Sequence, residues 1–196
     1  VICDYRETLS DLLIGRVQQI VSWIKERESD LRMQAHGAPA NLLDMYGAAG
    51  FPETEVFGAN KFDIPGYRRN PKWCRHEGKI DLINRFASSA AHVTGKTVVI
   101  SESFTWLRNH YHTALSHIKA EADNLFINGI NGIYYHGICY APEKTAWPGW
   151  LFYASTQANY RNSIFRDIPV LNAYITRCQG ELQSGRPHND VLLYWP

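Results

Sequence analysis

The sequence lacks most of the signatures that declare a chemistry outright. Its four cysteines, Cys3, Cys74, Cys139 and Cys178, are scattered and form no CxxC pair, which excludes zinc-ribbon and dithiol redox motifs. Such cysteines mostly behave as small buried apolar residues and leave the compartment open. Neither sign of charge is in excess: 20 Lys and Arg face 19 Asp and Glu, a net charge of +1, so no field favours nucleic acid or an anionic membrane. No apolar run reaches the ~20 residues that cross a bilayer. The opening Val1-Ile2-Cys3 leads at once into Asp4-Tyr5-Arg6-Glu7, unlike a signal peptide. Nucleic acid and membrane are therefore not expected as partners. His110, His112 and His117 lack the i,i+4 spacing around a glutamate that makes a helical zinc site, and solvated histidines are expected. An initiator Met is absent and the first residues already follow a helical pattern, so an upstream portion of chain is expected.

What is present is ordinary globular material of 196 residues, enough for one sizeable core. Its centre of interest is Lys96-Thr97-Val98-Val99-Ile100-Ser101-Glu102, an apolar β-branched run that ends in a carboxylate. Val98, Val99 and Ile100 suit a parallel strand covered on both faces, and Glu102 then falls at the strand's carboxyl end, where α/β folds place their chemistry. Glu102 is thus the first catalytic candidate; the position equally suits a capping or salt-bridged glutamate at a strand-to-helix turn.

Periodicity orders the rest. A long amphipathic helix is expected over Tyr5–Glu28, a short strand over Leu31–His36, and a helix over Asn41–Ala49 with Asn41 as N-cap and Gly50 as its stop. Phe51–Gly58 reads as a strand with Glu53 and Glu55 on one side. Two carboxylates on one face repel unless a cation or shared proton lies between them, or one faces solvent. Ala59–Glu77 has no clear period and reads as a functional loop or lid. A helix over Ile80–Thr94 has a small-residue centre, Ala87-Ser88-Ser89-Ala90-Ala91, and ends at Gly95. The Lys96–Ser101 strand precedes a second long helix over Trp106–Ile127. Ile133–Ile138 is the next strand and contains His136-Gly137, as the first contains His36-Gly37. Cys139–Tyr160 is an aromatic loop in which Tyr140, Trp147 and Trp150 offer a sugar platform or a lid over the core. A last helix over Ile168–Leu182 and a strand over Asp190–Pro196 close the chain.

Helices alternating with strands in this way mean a parallel sheet with right-handed crossovers. His36, Glu53, Glu55, Glu102 and His136 then gather on one face, as in half of an eight-stranded α/β barrel. The division expected is residues 1–189 as the carboxyl-terminal half of a (β/α)8 TIM-type barrel and 190–196 as a strand leading out of it.

Five blocks carry a resemblance: Asp4-Tyr5-Arg6-Glu7-Thr8-Leu9-Ser10-Asp11, Gln34-Ala35-His36-Gly37-Ala38-Pro39-Ala40-Asn41-Leu42-Leu43-Asp44, Pro52-Glu53-Thr54-Glu55-Val56-Phe57-Gly58, Ala87-Ser88-Ser89-Ala90-Ala91-His92 and Trp147-Pro148-Gly149-Trp150-Leu151-Phe152-Tyr153-Ala154-Ser155. The chain resembles the α-L-rhamnosidases of glycoside hydrolase family 106 over essentially its whole length. The resemblance implies an (α/β)8 catalytic barrel in a larger enzyme, removal of terminal α-L-rhamnose with inversion, and a calcium ion near the sugar hydroxyls; no organic cofactor is expected. It implies Glu102 as the water-activating base and Glu55 as a second catalytic candidate. Glu53 is assigned to sugar or calcium binding. His36, His136, Trp106, Tyr140, Trp147 and Trp150 are expected to line the sugar site. The general acid is expected upstream of Asp4, so this chain alone should be inactive and its partners should be a rhamnosylated glycan and the amino-terminal half of the barrel. Family members act outside the cytoplasm, which implies an extracytoplasmic or periplasmic location. The other readings are a retaining, β-galactosidase-like barrel with Glu102 as nucleophile, and a non-catalytic sugar-binding fragment.

Overall fold

The computed structural model describes residues 1–57, 80–105 and 110–194, with only the backbone of Phe57, Ile80 and Asp81. The lid expected over Ala59–Glu77 and the sugar contact expected of Trp106 lie outside the described residues.

Nine elements follow in order: α1 (Ile2–Lys25), β1 (Arg32–Gln34), α2 (Leu42–Ala48), β2 (Phe51–Phe57), α3 (Ile80–Val93), β3 (Ile100–Thr105), α4 (Leu115–Ile127), β4 (Gly132–Tyr135) and α5 (Ile168–Ser184). The strands form one parallel sheet in the order β1-β2-β3-β4. This is an α/β fold with the strand-helix alternation of half a TIM barrel. Among the described residues β1 and β4 are its two edges.

The caps follow the local chemistry. Asn41 opens α2 by accepting from the Leu43 and Asp44 amides through its side chain. Gly95, with φ 73°, follows α3 where only glycine turns without strain. At Gly129, φ is 83° and a Cβ would meet Ser88 Cβ at 2.8 Å, because the Ser88 hydroxyl donates to the Asn128 carbonyl at 2.8 Å. The small residues of α3 do what small residues allow: Ala87, Ala90 and Ala91 are fully buried in a core with Tyr46, Val56, Val99, Leu125 and Ile130. A second core joins Phe104, Ile118 and Ala122 to Leu171 and Ile175 of α5.

Four expectations need correction. The ladder of β3 begins at Ile100, not Lys96, because Asn131 stands in for a strand neighbour before it: its side-chain Oδ1 accepts from Val99 N at 2.9 Å and its Nδ2 donates to Thr97 O at 2.7 Å. Glu102 therefore sits within the strand, not past its end. Helix α4 begins at Leu115 and not Trp106, since Ala114 is extended and Tyr111 has φ 62°. His117 lies on the packed face of that helix, fully buried beside Ile118 and Glu121, and not in solvent, whereas His112 is exposed. Finally, residues 191–194 join no ladder among the described residues, and Val191, Leu192, Leu193 and Tyr194 are 80–89% exposed. Helix α1 is also barely covered: Val17 is its buried residue, while Ile2, Tyr5, Leu12 and Trp23 stay exposed.

Candidate active site

Register builds the site. In a parallel sheet, residues paired across strands point to the same side. Gln34 pairs with Glu53, Glu53 with Ile100 and Ile100 with Gly132, which makes one layer. Two residues further on, Glu55 pairs with Glu102 and Glu102 with Tyr134. The three carboxylates therefore share one face. Beyond Glu102 the in-out alternation breaks. Phe104 takes φ 72°, strained for a bulky residue, and the β2-β3 register shifts between Glu55 and Phe57. Phe104 can thereby enter the α4–α5 core while Thr105 turns back and donates its hydroxyl to Glu55 Oε1 at 3.0 Å.

The deepest acid, Glu53, is 4% exposed and compensated. Arg32 Nε forms an ion pair with its Oε2, and the Arg32 guanidinium lies 4.5 Å from the centre of the Tyr134 ring. Its Oε1 accepts from Gln34 Nε2 at 2.9 Å. The same nitrogen donates to Glu102 Oε2 at 2.6 Å. Gln34 thus spends one amide hydrogen on each of two carboxylates. The amide orientation follows from the partners, because a carbonyl oxygen turned toward two carboxylates would repel both.

Glu55 and His36 face each other, Oε2 to Nε2, at 3.8 Å. Burial, reinforced by the Glu102 and Glu53 charges, pushes the Glu55 carboxyl above its ordinary range, against the pull of the Thr105 hydrogen bond and of His136. Burial lowers His36, against the Glu102 and Glu53 charges. Burial thus disfavours the charged form of both partners in this contact.

His136 stands on the other side of Glu102. Its Nδ1 lies 3.3 Å from the Ala154 carbonyl, which only accepts, so Nδ1 carries a proton and the ring turns Nε2 outward. That Nε2 is 3.8 Å from Glu102 Oε1. This gap is too long for a direct hydrogen bond and leaves room for a water off the line between the two atoms. Glu102 is the most open of the three acids, its side chain 33% exposed against 12% for Glu55 and 5% for Glu53.

The aromatic loop reaches this cluster through Phe152, whose ring meets His136 edge-on at 5.3 Å. Tyr140, Trp147 and Trp150 are 78%, 69% and 59% exposed. Tyr140 packs on Trp150 and Trp147 on Tyr111. Arg161 shapes the loop from within, donating to the carbonyls of Thr145, Ala146 and Pro142. The sequence-derived candidates His36, Glu53, Glu55, Glu102 and His136 are thus brought together, while the three rings stand on the loop beside them. Arg32, Gln34 and Thr105 were not anticipated, and Phe152 belongs to the aromatic loop read as a sugar platform or core lid. Alternation along β1 was the available signal for Arg32 and Gln34, which share the face of His36.

Glu53 fits calcium poorly as it stands. One oxygen faces a guanidinium and the other an amide N–H, whereas calcium wants six to eight oxygens with free lone pairs. Among the described residues no group of three or more His, Cys, Asp or Glu side chains is placed to hold a metal ion.

Carboxylates and imidazoles gathered on one face of a parallel sheet, beside exposed aromatic rings, are the kind of arrangement an α/β-barrel glycosidase uses. The profile of glycoside hydrolase family 106, described as alpha-L-rhamnosidase, matches residues 1–196, and the chain belongs to that family. Over 93% of its length it superposes with TM-score 0.75 and 21% identity on a solved rhamnosidase from Novosphingobium sp. PP1Y, of which it spans 17%. It is 32% identical over 111 residues, 56% of the chain and 9% of the relative, to a protein of Formosa agariphila named "Putative beta-glucuronidase".

Proposed function

We propose that the chain carries the general base of an inverting α-L-rhamnosidase barrel, with Glu102 activating water and the general acid supplied by strands upstream. The observation that carries this reading is the division of labour at Glu102: Oε2 is held by Gln34, while Oε1 faces His136 Nε2 across 3.8 Å, the gap in which the attacking water would sit. The spacing supports an acid from elsewhere. Glu53 Oε1 and Glu102 Oε2 share one nitrogen and are no more than about 5.5 Å apart, and Glu55 and Glu102 face each other across a ~4.8 Å strand spacing. Inversion needs about 6.5–9.5 Å between acid and base, to admit the water. Tyr140, Trp147 and Trp150 supply stacking for the sugar chain. The open edges of β1 and β4, the uncovered face of α1 and residues 191–194 are the surfaces on which the remainder of the barrel packs, and without it the chain has no turnover. Calcium enters no step; should the family's ion bind at Glu53, Arg32 must give way to it.

One observation favours a second reading. Glu55 and Glu102 are paired on neighbouring strands, roughly 4.8 Å apart at the backbone, close enough for a retaining pair with Glu55, its carboxyl raised by burial, as acid and Glu102 as nucleophile. Proton NMR of the intact enzyme acting on an aryl α-L-rhamnoside separates the two. Inversion releases β-L-rhamnose first and retention releases α-L-rhamnose. No release of rhamnose from any α-L-rhamnoside would overturn both.

A further inference from the structure

We propose that Gln34 is a positioning residue for the catalytic base, the last member of a relay that runs Arg32, Glu53, Gln34, Glu102. The inference rests on Glu102 being that base.

Each link fixes the next. Arg32 is steered by the Tyr134 ring and by its ion pair to buried Glu53. Glu53, 4% exposed, has no freedom to follow solvent, so its Oε1 anchors one hydrogen of the Gln34 amide. The second hydrogen then points at Glu102 Oε2 and holds it at 2.6 Å. With Oε2 pinned, the carboxylate has no rotation left that would move Oε1 from the side of His136 Nε2, 3.8 Å away. Three carboxylates on one face would otherwise splay apart by repulsion.

The residue type matters as much as the place. A lysine or arginine at position 34 would also hold both acids, but its charge would weaken Glu102 as a proton acceptor. A glutamate would add a fourth carboxylate. An amide is the neutral group with two hydrogens on one atom, able to restrain two anions while leaving Oε1 basic. Gln34 touches no reacting atom in this scheme; it acts through Glu102.

The test is a double-mutant cycle on the intact enzyme with an aryl α-L-rhamnoside. Gln34→Met keeps the length of the side chain and removes both hydrogens. We expect kcat to fall by about 10–100-fold with KM within about threefold, the cost of a misplaced but present base. In the Glu102→Gln background the same substitution should cost nothing further. Where Gln34→Met fails to fold, Gln34→Glu keeps the shape and should lower kcat at least as far. A kcat within threefold of the parent for Gln34→Met, or for Gln34→Glu where that is the variant measured, would overturn the proposal. So would an equal loss in both backgrounds, while leaving Glu102 as base. Near-normal turnover by Glu102→Gln alone removes the base and the relay together.

Discussion

Removing Arg32 offers the sharpest physical test of how the carboxylate face is held. In Arg32→Met the stem survives and still covers Tyr134, but Glu53 loses its cation. Breaking a fully buried ion pair from one side costs about 3–5 kcal/mol, and an exposed pair about 0–1. This pair lies between those limits: the Glu53 side chain is 5% exposed and that of Arg32 48%. Glu53 also keeps the Gln34 N–H. A loss of about 2 kcal/mol is therefore expected. Urea unfolding of parent and variant measures it. The single Glu53→Gln change removes the charge that needs compensation, so the double variant should recover at least ~1 kcal/mol relative to the sum of the singles. A loss below ~0.5 kcal/mol, or strict additivity, would show that Arg32 does not compensate Glu53 and would refute the charge accounting given for this face.

Other outcomes follow from single side chains. The Glu55 carboxyl is raised chiefly by burial above the ordinary glutamate value of 4.5, so the folded protein binds its proton more tightly than the unfolded chain does. The stability cost is absent below that value and grows as pH rises from it through the folded pKa; Glu55→Gln should raise Tm at pH 7 and leave it unchanged at pH 4. Asn131→Ala leaves the amide of Val99, 1% exposed, and the Thr97 carbonyl without their partner, and should cost about 2–3 kcal/mol in urea. His136→Phe keeps a ring against Phe152 but removes the ring nitrogen opposite Glu102, and should lower kcat about 10–100-fold with little change in KM; initial rates on an aryl α-L-rhamnoside check it.

The parts of the molecule legible in its sequence are those written in local pattern. Alternating helix and strand periods gave the parallel sheet, Asn41 and Gly95 gave helix ends, and period two placed Glu53 and Glu55 on one face. His36, Glu102 and His136 joined them because strand ends converge in such a sheet. The illegible parts depend on contacts distant in the chain. Nothing near Val99 says that Asn131 replaces a ladder neighbour and delays β3. The left-handed Phe104 that returns Thr105 to Glu55 goes against the residue's own preference and is imposed by the α4–α5 core. Gln34 and Arg32 look like ordinary polar strand residues until Glu53 and Glu102 stand opposite them. The solvated reading of His117 failed because the residue shares the packed face of α4 with Ile118, Glu121 and Leu125.

The most direct test of the account is the turnover number of Glu102→Gln in the intact enzyme on an aryl α-L-rhamnoside, with folding checked by circular dichroism. The substitution keeps the shape and an oxygen for the Gln34 N–H but removes the basicity that draws a proton from water. The account predicts a fall in kcat of about 10³-fold or more with the fold intact, at the upper end of what a general base contributes. A turnover within tenfold of the parent would remove Glu102 from the chemistry and contradict the account at its centre.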